Sequence, residues 1–324
     1  MLLSNRAMAL CAVAAIALAS ASAPALAQTK LKWAHVYEVA EPYHTEALKA
    51  ADEIKKRTNG RYEISVFPAS QLGNENQINE GLGLGTVDII YTGTSFAGSI
   101  HKSLAISGAP FMLRDFDHWK AYRDSKLFTD IAKGYDDKTR HKVLALTYYG
   151  QRMVTANKEI KKPEDMKGMK LRVPPAPLYL MLTKSVGANA TPIAFAEVYL
   201  ALQQGTVDGQ ENPLPTIMAK KFYEVQSHIM LTGHITESLL TIVGGHVWSK
   251  LSDADKQVFA SAQSLPGSLE YAVPGLVYDR NYSTVTVGAR TMMFGLDANI
   301  GASATVQQGN GNNASVFATL GSSF

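Results

Sequence analysis

The 324-residue sequence predicts an α/β fold in two lobes with a ligand cleft between them. Three observations carry that expectation. Over residues 30–91, short apolar runs alternate with segments of helical spacing in the order strand, helix, strand, helix, strand. A second cycle of strand- and helix-length segments begins near Val143. A further apolar stretch, residues 237–244, is placed to return the chain to the first unit. Such alternation predicts a largely parallel sheet flanked by helices, and open α/β sheets bind ligands beyond the carboxyl ends of their strands, often where two domains meet.

The elements follow in order. Residues 31–36 form an apolar run of strand length. Residues 44–58 are helical, with Ala47, Leu48, Ala51 and Ile54 on one face and Gly60 as a stop. Tyr62, Ile64 and Val66 alternate as a strand closed by Pro68. A helix over 75–84 and a buried strand over 86–91 complete the first cycle. In the second, residues 143–148, 151–156 and 169–173 read as three strands, and 178–186 and 196–204 as helices. A short strand opens at Val207, and 228–232 is apolar again. Gly85-Thr86-Val87-Asp88 and Gly205-Thr206-Val207-Asp208 each follow a helix, which predicts one helix-to-strand turn used once per unit.

The first residues bear on compartment. Arg6 precedes an apolar run over residues 7–19, and Ala25-Leu26-Ala27 fits the small-x-small cleavage pattern. Residues 1–27 are therefore expected to be a secretory signal peptide, too short to anchor in a bilayer, which places the rest in the periplasm. Leu10, not Gly or Ala, precedes Cys11, so no lipid attachment is expected. Cys11 is the one cysteine of the chain, so the exported part is expected to stand on its core without disulfides. About 300 residues then remain, enough for two ordinary domains. With 31 basic and 28 acidic side chains scattered along the chain, there is no nucleic-acid footprint.

Enzymatic motifs are missing. The sequence has no G-x-S-x-G elbow, H-E-x-x-H or P-loop, and its eight histidines lack metal-ligand spacing. Asp136-Asp137 and Glu164-Asp165 fall in polar turns, where acids usually cap helices or face water. Two arginines are informative instead. Arg152 directly follows a strand, and Arg172 lies within the apolar Leu171–Val173 strand. A buried guanidinium needs an anion, and a carboxylate is its best geometric match. Position alone leaves open whether that carboxylate is internal or belongs to a ligand.

Several long blocks resemble the solute-binding proteins of TRAP (tripartite ATP-independent periplasmic) transporters. Asp165-Met166-Lys167-Gly168-Met169-Lys170-Leu171-Arg172-Val173-Pro174 is similar to that family's D-M-K-G-L-K-(I/L)-R-V-P signature. Thr191 to Phe195, Glu197 to Gln203, Val207 to Pro213, Lys221 to Gln226 and Phe67 to Gly73 match in the same order, so the resemblance spans roughly residues 30–263. It implies an α/β, type II-like, two-lobed periplasmic binding protein with a central interdomain cleft. Lobe one would be 28–150 with a return segment 236–263, and lobe two 151–235. It also implies a non-enzymatic, monomeric protein without ATP, metal or other cofactor, whose partners are a small organic acid and the TRAP membrane permease.

Site residues follow from the resemblance. Arg172 corresponds to the family's carboxylate-clamping arginine and Arg152 to a second arginine, although Met153 stands where Gln is common. Asn212 matches an asparagine that binds the same carboxylate, Phe195 an aromatic against the ligand body, and His234 a cleft histidine of some members; for Phe195 and His234 a purely structural role stays open. Gly93 and Phe96 stand near positions where sialic-acid binders carry an acid and an arginine, and Pro175 replaces their asparagine, which argues against sialic acid. The opening from His35 to Glu38, with Glu41-Pro42, Asn74 and Glu75, resembles members that take sugar acids such as uronates. On that reading His35 and Glu75 would bind hydroxyls, with a C4-dicarboxylate or other hydroxy or keto acid as the next class of ligand. A sensor subunit of the same fold, or a surface-exported protein, are the rival readings.

After Gln263 the resemblance stops. Leu265-Pro266-Gly267 is expected to end a helix that family members continue, and the remainder is rich in Gly, Ser, Thr and Asn. Its alternation and terminal Phe324 resemble the end of an outer-membrane β-barrel such as an autotransporter translocator. Residues 264–324 are therefore expected to be an atypical β-rich tail that stems from a fused or truncated gene or an assembly artefact, with a genuine functional tail as the alternative.

Overall fold

The computed structural model describes residues 28–262 and the backbone of three later strands. The signal-peptide expectation and the helix stop at Pro266 lie outside the described residues. Nine strands form one sheet: β1 (Thr29–Ala34), β2 (Tyr62–Phe67), β3 (Ile89–Gly93), β4 (Lys142–Ala156), β5 (Lys170–Val173), β6 (Asn189–Pro192), β7 (Gly209–Pro213), β8 (His228–Met230) and β9 (Thr236–Val243). The order is β2-β1-β3-β9-β4-β7-β5-β6, with β8 on β4.

Most of the expected elements are present, with two corrections. The sheet is mixed. Pairs β1-β2, β1-β3, β5-β6 and β5-β7 are parallel, while β3-β9, β4-β9, β4-β7 and β4-β8 are antiparallel. The mixture comes from β4 and β9, which run antiparallel to every strand they pair with. The second correction concerns residues 143–156, expected as two strands. They are the single strand β4, whose Lys142–Gln151 part pairs with β9 and whose Arg152–Ala156 part pairs with β7 and β8. The register slips between Tyr148 and Gly150, where Gly150 has φ 114°, so a bulge precedes the part of β4 that pairs with β7 and β8.

Helices pack on this sheet. Helix α1 (Pro42–Arg57) starts with Pro at its first position and ends in Lys55, Lys56 and Arg57, which complement the helix dipole. It buries Tyr43, Ala47, Ala50, Ala51 and Ile54, whereas Leu48 is exposed. Helix α2 (Glu75–Leu84) begins with a reciprocal capping box between Asn74 and Gln77. The two echoed turns are alike in detail. Gly85 and Gly205 have φ 75° and 67°. Asp88 accepts from Lys32 N–H at 2.8 Å, and Asp208 accepts from Lys170 N–H at 2.7 Å. Each turn thus fastens a helix end to the neighbouring parallel strand. Helices over Phe116–Arg123 and Lys126–Thr139, absent from the sequence expectation, cover the first lobe.

The helix over Asp253–Ala262 closes the body, tied by the paired bonds from Arg61 to Asp255 at 2.7 and 2.5 Å. Strands β10 (Ser283–Met293), β11 (Leu296–Gln308) and β12 (Ala314–Ser323) form a separate antiparallel sheet in the order β10-β11-β12.

Candidate ligand-binding site

The parallel strands β1, β3 and β5 end toward a small cavity between the lobes. Its walls come from Tyr37 after β1, Glu75 at the start of α2, Gly93 at the end of β3, and Arg172 on β5. Arg152, Asn212, Phe195 and Tyr179 complete the ring. This is the location that α/β topology favours, because loops after parallel strands converge there.

Arg172 is about 1% exposed. Its Nε and Nη2 both donate to Ile193 O, at 2.9 and 2.7 Å. Those bonds fix the plane of the guanidinium and use up one edge. Nη1 is buried with no partner. Burial pulls its pKa down to about 10, opposed by the charges of Glu75 and Glu211. An aligned cation therefore sits on the cavity wall with its Nη1–Nη2 edge open.

Arg152 is equally buried but committed. It pairs with Glu211 through Nε and Nη2, and Nη2 also donates to Glu211 O at 2.7 Å and Asn212 Oδ1 at 3.3 Å. Its Nη1 lies 3.6 Å from Glu237, and its guanidinium stacks 4.9 Å from the Tyr179 ring. Desolvation opposes its charge, but Glu211, Tyr179 and Glu237 together outweigh it and hold the pKa above the ordinary arginine value. Burial alone would raise Glu211; Arg152 and His234 reverse the direction and keep it below the usual range.

The other expected residues divide into wall and support. Asn212 lines the cavity and donates from Nδ2 to Gln210 Oε1 at 2.6 Å. Phe195 lines it too, with Lys220 Nζ 5.2 Å above its ring. Glu75 lines it from the first lobe, with Oε2 buried and unpartnered. Burial raises the Glu75 pKa, and Arg172 pulls it back. His234 is not on the wall: its Nε2 reaches Glu211 Oε2 at 3.2 Å and its Nδ1 reaches Thr232 at 2.8 Å, so it backs the acid that holds Arg152. His35 is also off the wall. It packs beside Tyr37 and Tyr91 and touches His44 at 3.1 Å, and burial first, then His44, depresses its pKa to about 3.

Sequence reasoning missed the aromatic and acidic frame. Tyr37, Tyr149 and Tyr179 line the cavity. Tyr179 donates from the second lobe to Glu237 of β9 at 2.8 Å. Lys220 bridges to Glu38 at 2.7 Å, and Thr216 donates to Glu41 at 2.7 Å. These contacts hold the lobes together around the cavity. Gly93 gives the frame room: a Cβ there would stand 3.1 Å from the Tyr179 hydroxyl, which would have to give by a few tenths of an ångström. Among the described residues no group of His, Cys, Asp or Glu is placed to hold a metal ion.

The model of the bacterial extracellular solute-binding protein family 7 (DctP) matches residues 33–266. This chain belongs to that family. It is similar to the sialic acid-binding periplasmic protein SiaP of Vibrio cholerae, 37% identical over 237 residues that cover 73% of this chain and 74% of the relative. Among solved structures it resembles a TRAP periplasmic solute-binding protein from a Polaromonas species bound to D-erythronate, at 37% identity and TM-score 0.70, covering 73% of this chain and 78% of that one. A TRAP solute-binding protein from Sulfurospirillum deleyianum with bound succinate is 33% identical at TM-score 0.69, covering 75% and 78%. The DctP match, like the resemblance read from the sequence, does not extend over β10–β12.

Proposed function

We propose that this DctP-family chain is the periplasmic solute-binding subunit of a TRAP transporter, that it captures a small organic acid by its carboxylate, and that it passes the closed complex to a membrane permease. The open edge of Arg172 carries this reading. A buried guanidinium without an anion is costly, and a carboxylate satisfies it through two parallel N–H···O bonds. Asn212 stands beside it as a further donor, while Arg152 shapes the wall through its pair with Glu211. Phe195 and the tyrosines would pack against the ligand body.

Sugar acids are the leading ligand class. Erythronate in the Polaromonas relative is one, and the wall of this chain mixes aromatic faces with polar groups as a polyhydroxylated acid requires. Gly93 and the Tyr179 hydroxyl beside it leave no acidic group where sialic-acid binders carry one. On this reading lobe one comprises residues 28–150 and 236–263, lobe two 151–235, and 264–324 is an appended segment outside the site. The resident of the cleft draws the lobes together because it binds both walls at once. A thermal-shift screen of carboxylates against their neutral analogues tests the proposal. Stabilisation by sugar acids and none by the corresponding neutral sugars is expected, and equal stabilisation by both would overturn it.

A further inference from the structure

Two side chains of the cavity wall are carried by one stiff segment of the second lobe. Arg172 lies on β5, and the chain then runs Val173-Pro174-Pro175-Ala176-Pro177 into a single helical turn over Pro177–Tyr179. Each proline of this stretch fixes its own φ, so the segment has little freedom to flex. The open guanidinium edge of Arg172 and the ring of Tyr179 are therefore held at a separation set within the second lobe. Closing or opening the lobes does not change it.

Tyr179 also crosses the gap to the first lobe. Its hydroxyl donates to Glu237 of β9 at 2.8 Å, and a Cβ on Gly93, at the end of β3, would stand 3.1 Å from it. Arg152, itself locked on Glu211, lies 4.9 Å from the ring centroid. Phe96 packs beside the ring, with centroids 6.1 Å apart. The side chain is buried, bonded at its tip, stacked on one face and rooted in a proline-stiffened loop. It cannot swing aside without giving up the bond to Glu237 and the stack on Arg152.

A ligand whose carboxylate sits on Arg172 has to fit its body within this frame. Tyr37, Tyr149, Phe96 and Phe195 line the same small cavity, so the rings leave little room to either side. Extra carbons forced against a close-packed, anchored wall cost strain, whereas a chain that stops short of the ring meets no such barrier.

Resting on the Arg172 clamp reading, we infer that Tyr179 is a specificity-determining residue, a fixed end-stop that admits short hydroxy acids and rejects six-carbon aldonates and uronates.

Calorimetry along a series of aldonates of rising length separates this inference from the clamp itself. The series is glycerate, erythronate, xylonate and gluconate, with glucuronate and the neutral erythritol beside it. The wild type should bind its best short acid, glycerate or erythronate, at least about tenfold more tightly than gluconate or glucuronate. Tyr179→Ala opens the end of the cavity and should shrink that ratio to about threefold or less. Tyr179→Phe keeps the ring volume and should keep the ratio within about threefold of the wild-type value. Gluconate bound by the wild type as tightly as the best short acid would overturn the end-stop and leave the clamp standing. So would a loss shared equally by all the acids in Tyr179→Ala, which is what a merely structural ring would give. Erythritol binding as well as erythronate, or no acid binding at all, would count against clamp and end-stop together. If Tyr179→Ala fails to fold, the wild-type ratio alone still decides.

Discussion

Arg152 and Arg172 are equally buried, each about 1% exposed, and both face the same cavity, yet their environments are opposite. On the β4–β7 wall Arg152 has a bidentate internal acid, a second acid beyond it and an aromatic face, and its proton is held more tightly than in water. On β5 Arg172 has one backbone carbonyl, and burial loosens its proton. The acids follow the same division. Glu211, beside Arg152, is held ionised, whereas Glu75 and Glu41, with no cation in contact, are pushed toward neutrality by burial. Burial therefore does not mark a binding residue. A buried charge with its hydrogen-bonding capacity left over does, because the folded chain alone leaves its cost uncompensated.

The difference can be broken from the structural side first. Arg152→Met leaves Glu211 and Glu237 buried beside each other without their cation. It should destabilise the protein by about 3–5 kcal/mol, read by urea unfolding. Arg172→Met removes an unpaired cation and should cost far less. If the two variants unfold alike, the division between a structural and a ligand-facing arginine is wrong.

The acids give a prediction in pH. Burial raises the Glu41 pKa to about 7 from an ordinary 4.5, against the Thr216 hydroxyl and the Glu38 N–H, which lower it. A raised folded-state pKa means the folded chain binds the proton more tightly than the unfolded one. The resulting stability is fully present below pH 4.5 and is lost as pH rises through 7, an effect of about 3 kcal/mol. Glu41→Gln cannot titrate there, so its stability relative to wild type should climb by that order between pH 4.5 and 8. His35, depressed to about 3, acts in the opposite sense, losing its contribution as pH falls below 6.5, but it is common to both chains and cancels. A constant difference across the range would place Glu41 in a solvated setting.

A smaller effect belongs to the bond between the lobes. Tyr179→Phe removes the hydroxyl that donates to Glu237 and should cost about 1–2 kcal/mol, seen in thermal melts. No change would mean that Glu237 is satisfied without the second lobe.

How much of this was legible in sequence depended on the kind of signal. The alternating apolar periods located most strands, though not β6, and the start of α2 at Glu75 was placed to the residue. The helices over residues 116–139 were not, because their apolar residues are few among many charges and their starts rest on the side-chain caps of Asp115 and Ser125. The mixed sheet was hidden for another reason: strand direction depends on where the chain crosses between lobes, and periodicity carries no direction. At the site, Arg172, Arg152, Asn212, Phe195 and Glu75 converge on one cavity as expected, whereas His35 and His234 stand behind it. No local pattern could separate Arg152 from Arg172. What distinguishes them is Glu211, distant from Arg152 in sequence and brought against it only once β4 and β7 pair, with Glu211 opposite Val154 and Arg152 opposite Pro213.

The most direct test of the central claim is a calorimetric titration of a sugar acid into wild type and Arg172→Lys. Lysine keeps the charge but cannot present the planar fork that Ile193 O orients in the wild type. Losing charge-assisted bonds of about 1.5–3 kcal/mol should weaken affinity at least tenfold, with the melting temperature of the ligand-free protein essentially unchanged. Unchanged affinity in Arg172→Lys would contradict the account, because the carboxylate would then be held somewhere other than the open edge of Arg172.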